Sequence, residues 1–355
     1  MKLVNRSGLA RIGGFAALFA ASLASAAPAQ VNPASPLGRQ VEAVRLGDGP
    51  VIWPGMPGLE GDLGSNIDGP AVIKAPTWLP HPFGKYYMYF GHHRGTYIRL
   101  AFADRPEGPW KVYAPGTLRL DQTSALNHVA SPDVLVDDAH KRILLYFHGP
   151  IEPVDRDYGG RPYRQQSFVA VSSDGIHFED VSGPFAQPYI KVFRYKGAVY
   201  GLAMSDKGSA YPAWLRSGQF FRSVDGLLPF AAGPRILTEM RHGAVLVQGD
   251  TLDIFYTVVG EEPERILFSQ VDLRPNWYEW TATAPTEVLR PEKAWEGADV
   301  ALEASKGGMS EARERALRDP AVLDDDGQVY LYYTVAGELG IAVAKVTLPK
   351  PPPNR

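Results

Sequence analysis

The chain has 355 residues, 45% of them hydrophobic and 21% charged, and contains no cysteine. Disulfides, thiolate metal sites and lipid-modified cysteines are therefore excluded, and the fold must rest on its hydrophobic core. With 36 basic against 39 acidic residues the net charge is −3, so nothing in the composition attracts nucleic acid or an anionic membrane.

The first element is the segment MKLVNRSGLARIGGFAALFAASLASAAPAQ. Lys2, Arg6 and Arg11 precede an apolar run from Gly13 to Leu23 that ends in the small residues Ala24, Ser25 and Ala26. This is the three-part pattern of a secretory signal, too short and wrongly flanked for a membrane anchor. Cleavage after Ala26 or Ala27 is expected, giving a signal over residues 1–27 and a single domain over 28–355. An amphipathic first helix is the alternative, but the segment has no polar face. The leader holds three basic and no acidic residues, so its removal takes the net charge from −3 to −6. No other apolar run approaches the ~20 residues needed to span a bilayer. A secreted or periplasmic location is expected.

Beyond it, short runs rich in Tyr, Phe, Val and Ile alternate with clusters of Gly, Pro and Asp, which predicts an all-β protein. The runs recur. Asp68-Gly69-Pro70 leads to KYYMYFGHH and TYIRLAFADRPEGPW; Ser131-Pro132-Asp133 leads to RILLYFHG and SFVAVSSDGIHF. YIKVFRYKG then leads to AVYGLAMSD, and RHGAVLVQGD to TLDIFYTVVG and ERILFSQVDL. Finally RDPAVLDDDG leads to QVYLYYTVAG and GIAVAKVTL. Five such units, starting at Asp68, Asp133, Lys191, Arg241 and Asp319, predict a five-bladed β-propeller. A β-sandwich is the competing fold, but it does not account for a polar start before each first strand. Ser-Asp-Gly-type turns at Ser172 and Ser223 fit outer hairpins. SKGGMSEARERALR, residues 305–318, is predicted to form a short helical excursion before the last blade.

In a propeller the first strand of each blade lines the central channel and the second returns antiparallel, so strand starts and the following strand ends share one rim. That rule gathers Asp68, Ser131, Asp133, Lys191, Arg241, His242, Arg318 and Asp319, with His92, His93, Arg94 and His148 from second-strand ends. Tyr97, Arg99, Glu264 and Arg265 join from third-strand starts, and His128 stands just before Ser131. Asp68, Asp133 and Asp319 are candidate carboxylates for acid/base work; an Asp before Gly or Pro can equally cap its own turn. Of His92 and His93, adjacent at a strand end, only one can face the channel. Arg318 could grip a hydroxyl or carboxylate by paired donors or simply neutralise Asp319. Glu264 and Glu296 are further candidate acids, and Trp295 a stacking face. The histidines lack metal-ligand spacing. No metal or cofactor is therefore expected, and a channel-bound ion such as calcium has no support in the sequence.

The strand starts, the YYMYF and YLYYT second strands and the FADRPEGPW turn resemble the five-bladed propeller glycoside hydrolases, the arabinanase, xylosidase, invertase and levansucrase group that includes family 43. The resemblance implies a glycosidase in which a first-blade Asp, matched by Asp68, is base or nucleophile. It also implies that a second Asp, matched by Asp133, tunes a Glu acid. The third blade offers Lys191 and Arg194 where a carboxylate is expected, leaving the acid unassigned. The expected activity is hydrolysis of a polysaccharide or oligosaccharide. Asp68 would be the base or nucleophile and Asp133, Asp319 or Glu264 its partner; His92, His93, Arg94, His128, His148, Arg241, His242, Glu296 and Arg318 would bind substrate. The competing readings are a lyase acting on uronate-containing glycans, in which Arg neutralises the uronate and His or Tyr removes a proton, and a carbohydrate-binding propeller without catalysis. A carbohydrate is the expected partner in each, and oligomeric state is not readable.

Overall fold

A computed structural model describes residues 41–151, 165–205 and 216–349; the signal segment lies outside them. These residues form five antiparallel sheets of four strands each. Blade one comprises Asp68–Lys74, Tyr86–Gly91, Arg99–Ala103 and Lys111–Tyr113, and blade two Ala130–Asp137, Arg142–Pro150, Gln165–Ser172 and Glu179–Ala186. Blade three comprises Lys191–Tyr195, Ala198–Ser205, Ser217–Ser223 and Ala231–Thr238, and blade four Met240–Gln248, Thr251–Val258, Ile266–Asp272 and Thr286–Leu289. Blade five takes Arg318–Asp325, Gln328–Thr334 and Ile341–Thr347 from one end of the chain and its outermost strand, Glu42–Arg45, from the other. Residues 42–45 pair antiparallel with 344–347. The expectation of a five-bladed propeller is borne out, with a shared last blade that the repeat did not reveal.

Each second strand is buried on both sides because its two faces serve different blade junctions. In YYMYF, Tyr86, Met88 and Phe90 pack toward blade five while Tyr87 and Tyr89 pack toward blade two, as alternation requires. Five apolar clusters result, one per junction, and each fully buried Phe or Leu in them contributes roughly 1.5–3 kcal/mol. A recurring polar lock joins them. The second-strand Tyr332, Tyr89 and Tyr146 donate to the carbonyls of Pro106, Gly175 and Gly226 in the outer turns of the next blade, at 2.7–2.8 Å.

The innermost strands of blades one, two, four and five carry the same irregularity: three residues oppose two on the partner strand. This β-bulge turns the strand start and re-aims its side chains. Gly69, Ser131 and Asp319 adopt φ of 55°, 42° and 46° within it. At Gly69 a Cβ would stand 2.6 Å from the Cα of Ser131, so only glycine fits. Asp319 holds the same conformation because Asp tolerates the left-handed region better than most side chains.

The predicted helix over 305–318 is not formed; the described helical residues are isolated 3-10 turns. Local helix propensity is overridden by a tertiary demand. The carbonyls of Lys306 and Gly308 accept from the buried Arg241 guanidinium instead of from backbone four residues on. Gly308, at φ 100°, breaks the helical path. The excursion is an irregular strap over the ends of blades four and five.

Candidate active site

The bulges decide which side chains meet at the rim. Asp68 opposes Gly91 and Arg318 opposes Thr334, so these two share one repeat position; Asp319 shares the next with Gly69 and Ser131. Asp133 opposes Tyr146, as Ala71 opposes Tyr89. It therefore lies beyond the bulge, down the channel, and the expectation that Asp68, Asp133 and Asp319 occupy one place is corrected. There a cavity of about 80 Å3 is lined by one residue pair per blade: Ala71-Val72, Asp133-Val134, Lys191-Val192, Ala244-Val245 and Ala321-Val322. Lys191 Nζ stands 3.5 Å from Asp133 Oδ1 and donates to the carbonyls of Pro70 and Pro132, while Asp133 Oδ2 accepts from the Val192 amide at 2.7 Å. Burial raises the Asp133 carboxyl above its ordinary range despite Lys191. The pair floors the site and ties the bulges of blades one and two together.

Above that floor Asp68, His93 and Glu338 converge. Nδ1 of His93 is 3.6 Å from Asp68 Oδ2 and 3.5 Å from Glu338 Oε2. Asn66 fixes this group from behind: its Nδ2 donates to Glu338 Oε2 at 2.6 Å and its Oδ1 accepts from the His93 amide at 2.8 Å. The backbone of Glu338 is anchored in turn, its carbonyl accepting from the amide of Ile67, one residue before Asp68. Asp68 and Glu338 are buried at 2% and 1% side-chain exposure, and His93, at 14%, is the member open to solvent. Asp68 Oδ1 is buried without a hydrogen-bond partner among the described residues. Gly91 keeps the space beside it clear, since a Cβ there would stand 2.5 Å from that oxygen.

The other side of the rim is an ion network. His242 Nδ1 meets Asp319 Oδ1 in a close ion pair, and Thr334 Oγ1 donates to Asp319 Oδ2 at 3.4 Å. The fully buried Arg318 donates from Nε to Glu264 at 2.8 Å, from one terminal nitrogen to Glu338 at 3.4 Å and from the other to Glu314. Arg241 also reaches Glu264, at 3.0 Å. Glu264, clamped between two guanidiniums, is thus a counter-ion to both arginines. The rings of His148 and His242 flank Tyr189 at 4.3 and 4.1 Å, with His128 edge-on to His148 at 6.2 Å.

These surroundings separate the titrating groups. Burial raises Asp68 above its ordinary range, reinforced by Glu338 and Asp319 against the pull of His93. Burial opposes charge on His93, but its two carboxylate partners push it up to about 10. Against burial, His93 holds Glu338 low, and His242, with Arg241 and Arg318, holds Asp319 well below the carboxylate range. Burial thus favours the protonated form of Asp68, while Glu338 and Asp319 are held toward their ionised forms and His93 toward its protonated one. His128, lowered by burial to about 4, and His148, lowered further, are neutral.

The remaining expected residues lie apart from this group. His92 points away from His93, as alternation requires: its Nε2 is 3.3 Å from Ser65 Oγ, its Nδ1 accepts from the Arg94 amide, and burial lowers it to about 4. Arg94 is exposed, 3.5 Å from Glu311. Glu296 accepts from Arg45, Tyr333 and the amides of Glu292 and Lys293, fastening the N-terminal strand to blade five; it does not overhang the channel. Glu338, Asn66 and Tyr189 were not expected. Glu338 follows the second strand of blade five as His93 follows that of blade one, and carrying the strand-end rule four residues past Thr334 would have found it.

A metal ion could be held by Asp68, His93 and Glu338, whose ligand atoms lie within 4.8 Å of one another.

No protein-family model matches the chain. It is similar to Uncharacterized protein R118 of Acanthamoeba polyphaga mimivirus, 34% identical over an alignment of 320 residues that covers 80% of this chain and 84% of the viral protein. The two chains belong to one family. Among solved structures the chain is similar to an endo-1,4-beta-xylanase of Bacteroides thetaiotaomicron, with a TM-score of 0.56 and 13% identity, covering 81% of this chain and 96% of that one. An alpha-L-arabinofuranosidase of Lactobacillus brevis gives 0.54 and 11%, covering 78% and 90%. The GH43_1 enzyme of Xanthomonas citri complexed with xylotriose gives 0.51 and 14%, covering 79% and 87%. At these identities the shared property is the fold, and at that level the resemblance to propeller glycoside hydrolases holds.

Proposed function

We propose that this protein is an exported glycoside hydrolase whose active site is the Asp68, His93, Glu338 and Asp319 cluster. The observation that carries the reading is the division of charge across one rim: a buried carboxyl pushed toward its protonated form faces carboxylates held ionised. Two carboxyl groups with opposed shifts are what acid/base cleavage of a glycosidic bond requires. Asp68, with its free Oδ1, is the group to protonate the leaving oxygen, which reverses the base role that resemblance implied. Asp319, kept ionised by His242, is the carboxylate to activate water or attack carbon. Glu338 lies within 4.8 Å of Asp68, nearer than the ~5 Å of a retaining pair, and its charge raises Asp68 against the pull of His93, so it serves to hold the proton on the acid side. The fold shared with a xylanase, an arabinofuranosidase and a xylotriose-binding enzyme supports a glycan substrate.

A uronate lyase needs a free cation to neutralise the substrate carboxylate. Arg241 and Arg318 are both engaged by buried glutamates, which favours hydrolysis. Export rests on the N-terminal signal pattern; among the described residues no helix is long and apolar enough to cross a membrane.

The test is release of reducing sugar from a panel of plant and algal glycans by wild type, Asp68→Asn and Asp319→Asn. A loss of about 10²-fold or more is expected in each variant, the scale of a missing acid or base. Full activity in both places the site elsewhere, and a product absorbing in the ultraviolet identifies a lyase.

A further inference from the structure

The junction of blades three and four departs from the other locks. Where Tyr89, Tyr146 and Tyr332 each donate to the next blade's outer turn, the outer turn of blade four instead carries Trp277 and Trp280, which pack on Tyr200 at 6.0 and 4.8 Å between ring centres. A cleft of about 350 Å3 opens there, lined by Tyr195, Lys196, Tyr200, Arg222, Arg274 and Trp277 among others. Lys196 follows the end of the innermost strand of blade three, whose start, Lys191, belongs to the channel floor. The cleft therefore lies at the opposite end of the blades from the active site.

Its chemistry is specific. Trp277 is half-buried, one side of its indole pressed on Gly233, where a Cβ would stand 2.1 Å from the ring, and its centre is 4.4 Å from that of the tilted Tyr278 ring, so the part of the indole that borders the cleft is what it offers a ligand. Three cations surround the aromatic lining. Lys196 pairs with Asp250 at 3.4 Å, and Arg274 pairs with Asp272 at 2.7 Å. Arg222 is exposed, lies 5.7 Å over the Tyr200 ring and has no carboxylate partner among the described residues. A guanidinium held over an aromatic face with its fork of donors unspent is suited to bidentate capture of a carboxylate. Aromatic faces beside it offer stacking to the C–H side of a sugar ring.

We infer that this cleft is a second, non-catalytic binding site for the carboxylate-bearing sugars of an acidic glycan, with Arg222 gripping the carboxylate and Trp277 stacking on the ring. The choice of a sugar over other aromatic-binding anions rests on the glycosidase reading of the opposite face. The site would hold the protein on an acidic polysaccharide while the rim works on another part of the chain or on a neighbouring one.

Affinity electrophoresis in gels containing polygalacturonate tests this, using Asp68→Asn protein so that turnover cannot interfere. Retardation is expected by polygalacturonate but not by neutral xylan or by polyglutamate. Arg222→Gln, an exposed change that leaves the fold intact, should weaken it by about tenfold, the size of one charge-assisted contact. Trp277→Phe should weaken it with circular dichroism unchanged. The inference is overturned by no retardation, by equal retardation in xylan or polyglutamate, or by an Arg222→Gln protein that binds as the parent does. None of these outcomes bears on reducing-sugar release by the wild type, which tests the active site separately.

Discussion

Asp253 offers a quantitative check on the electrostatics of this fold. It sits in the second strand of blade four, fully buried, with Oδ1 accepting from Gln270 Nε2 at 2.7 Å and Oδ2 without a hydrogen-bond partner among the described residues. Burial pushes its pKa up from 3.8 to about 7. A carboxyl whose folded pKa exceeds its unfolded value binds its proton more tightly when native. Its contribution is complete below pH 4, is lost as pH rises from about 4 to 7, and is constant above that. Three units at 1.36 kcal/mol each give a cost of about 4 kcal/mol at neutral pH. Asp253→Asn retains the acceptor for Gln270 and cannot ionise, so it should be the more stable protein at pH 8 and the advantage should vanish near pH 4. Urea titrations of both proteins at half-unit pH steps measure this as a difference, which cancels the other titrating groups. A stability difference independent of pH between 4 and 8 would show that Asp253 is ionised in place and refute the reasoning.

Three further outcomes follow from the site and the blades. His93, raised to about 10 by Asp68 and Glu338, contributes stability that is full below pH 6.5 and lost as pH rises through 10; His93→Gln should lack that alkaline decline in thermal melts. Glu264→Gln leaves Arg241 and Arg318 without their shared counter-ion and should cost about 3–5 kcal/mol in denaturant unfolding, far more than Glu311→Gln at the exposed Arg94 pair. Tyr146→Phe removes the donor to the Gly226 carbonyl and should cost about 1–3 kcal/mol, read in the same way.

What the sequence disclosed depended on whether its signal was periodic. The blades were legible because alternation in runs such as YYMYF and YLYYT is the direct imprint of a strand buried on both faces. Asp68, His93, Arg241, His242, Arg318 and Asp319 were brought to one rim by the same repeat. Asp133 was misplaced because Asp68-Gly69-Pro70 and Ser131-Pro132-Asp133 look alike in composition, whereas the register sets Asp133 opposite Tyr146 as Ala71 is set opposite Tyr89, three residues past the place of Asp68. The helix over 305–318 failed because propensity is local, whereas the claim of Arg241 on two carbonyls is not. Glu338 was missed because its turn contributes a site residue without a strand to mark it, and Glu296 attracted notice only for being an acid near the last blade.

The shared last blade sets the order in which the molecule can become whole. Arg45 finds its partner at Ala344 across roughly 300 residues, and closing a loop of that length costs about 5 kcal/mol in chain entropy. Four blades can assemble as the chain emerges, but the ring stays an open arc until the residues around 344 arrive. Until then Asp68 and His93 lack Glu338 and Asp319, which blade five contributes. The rim proposed to be catalytic therefore comes into being last, in the same event that seals the ring.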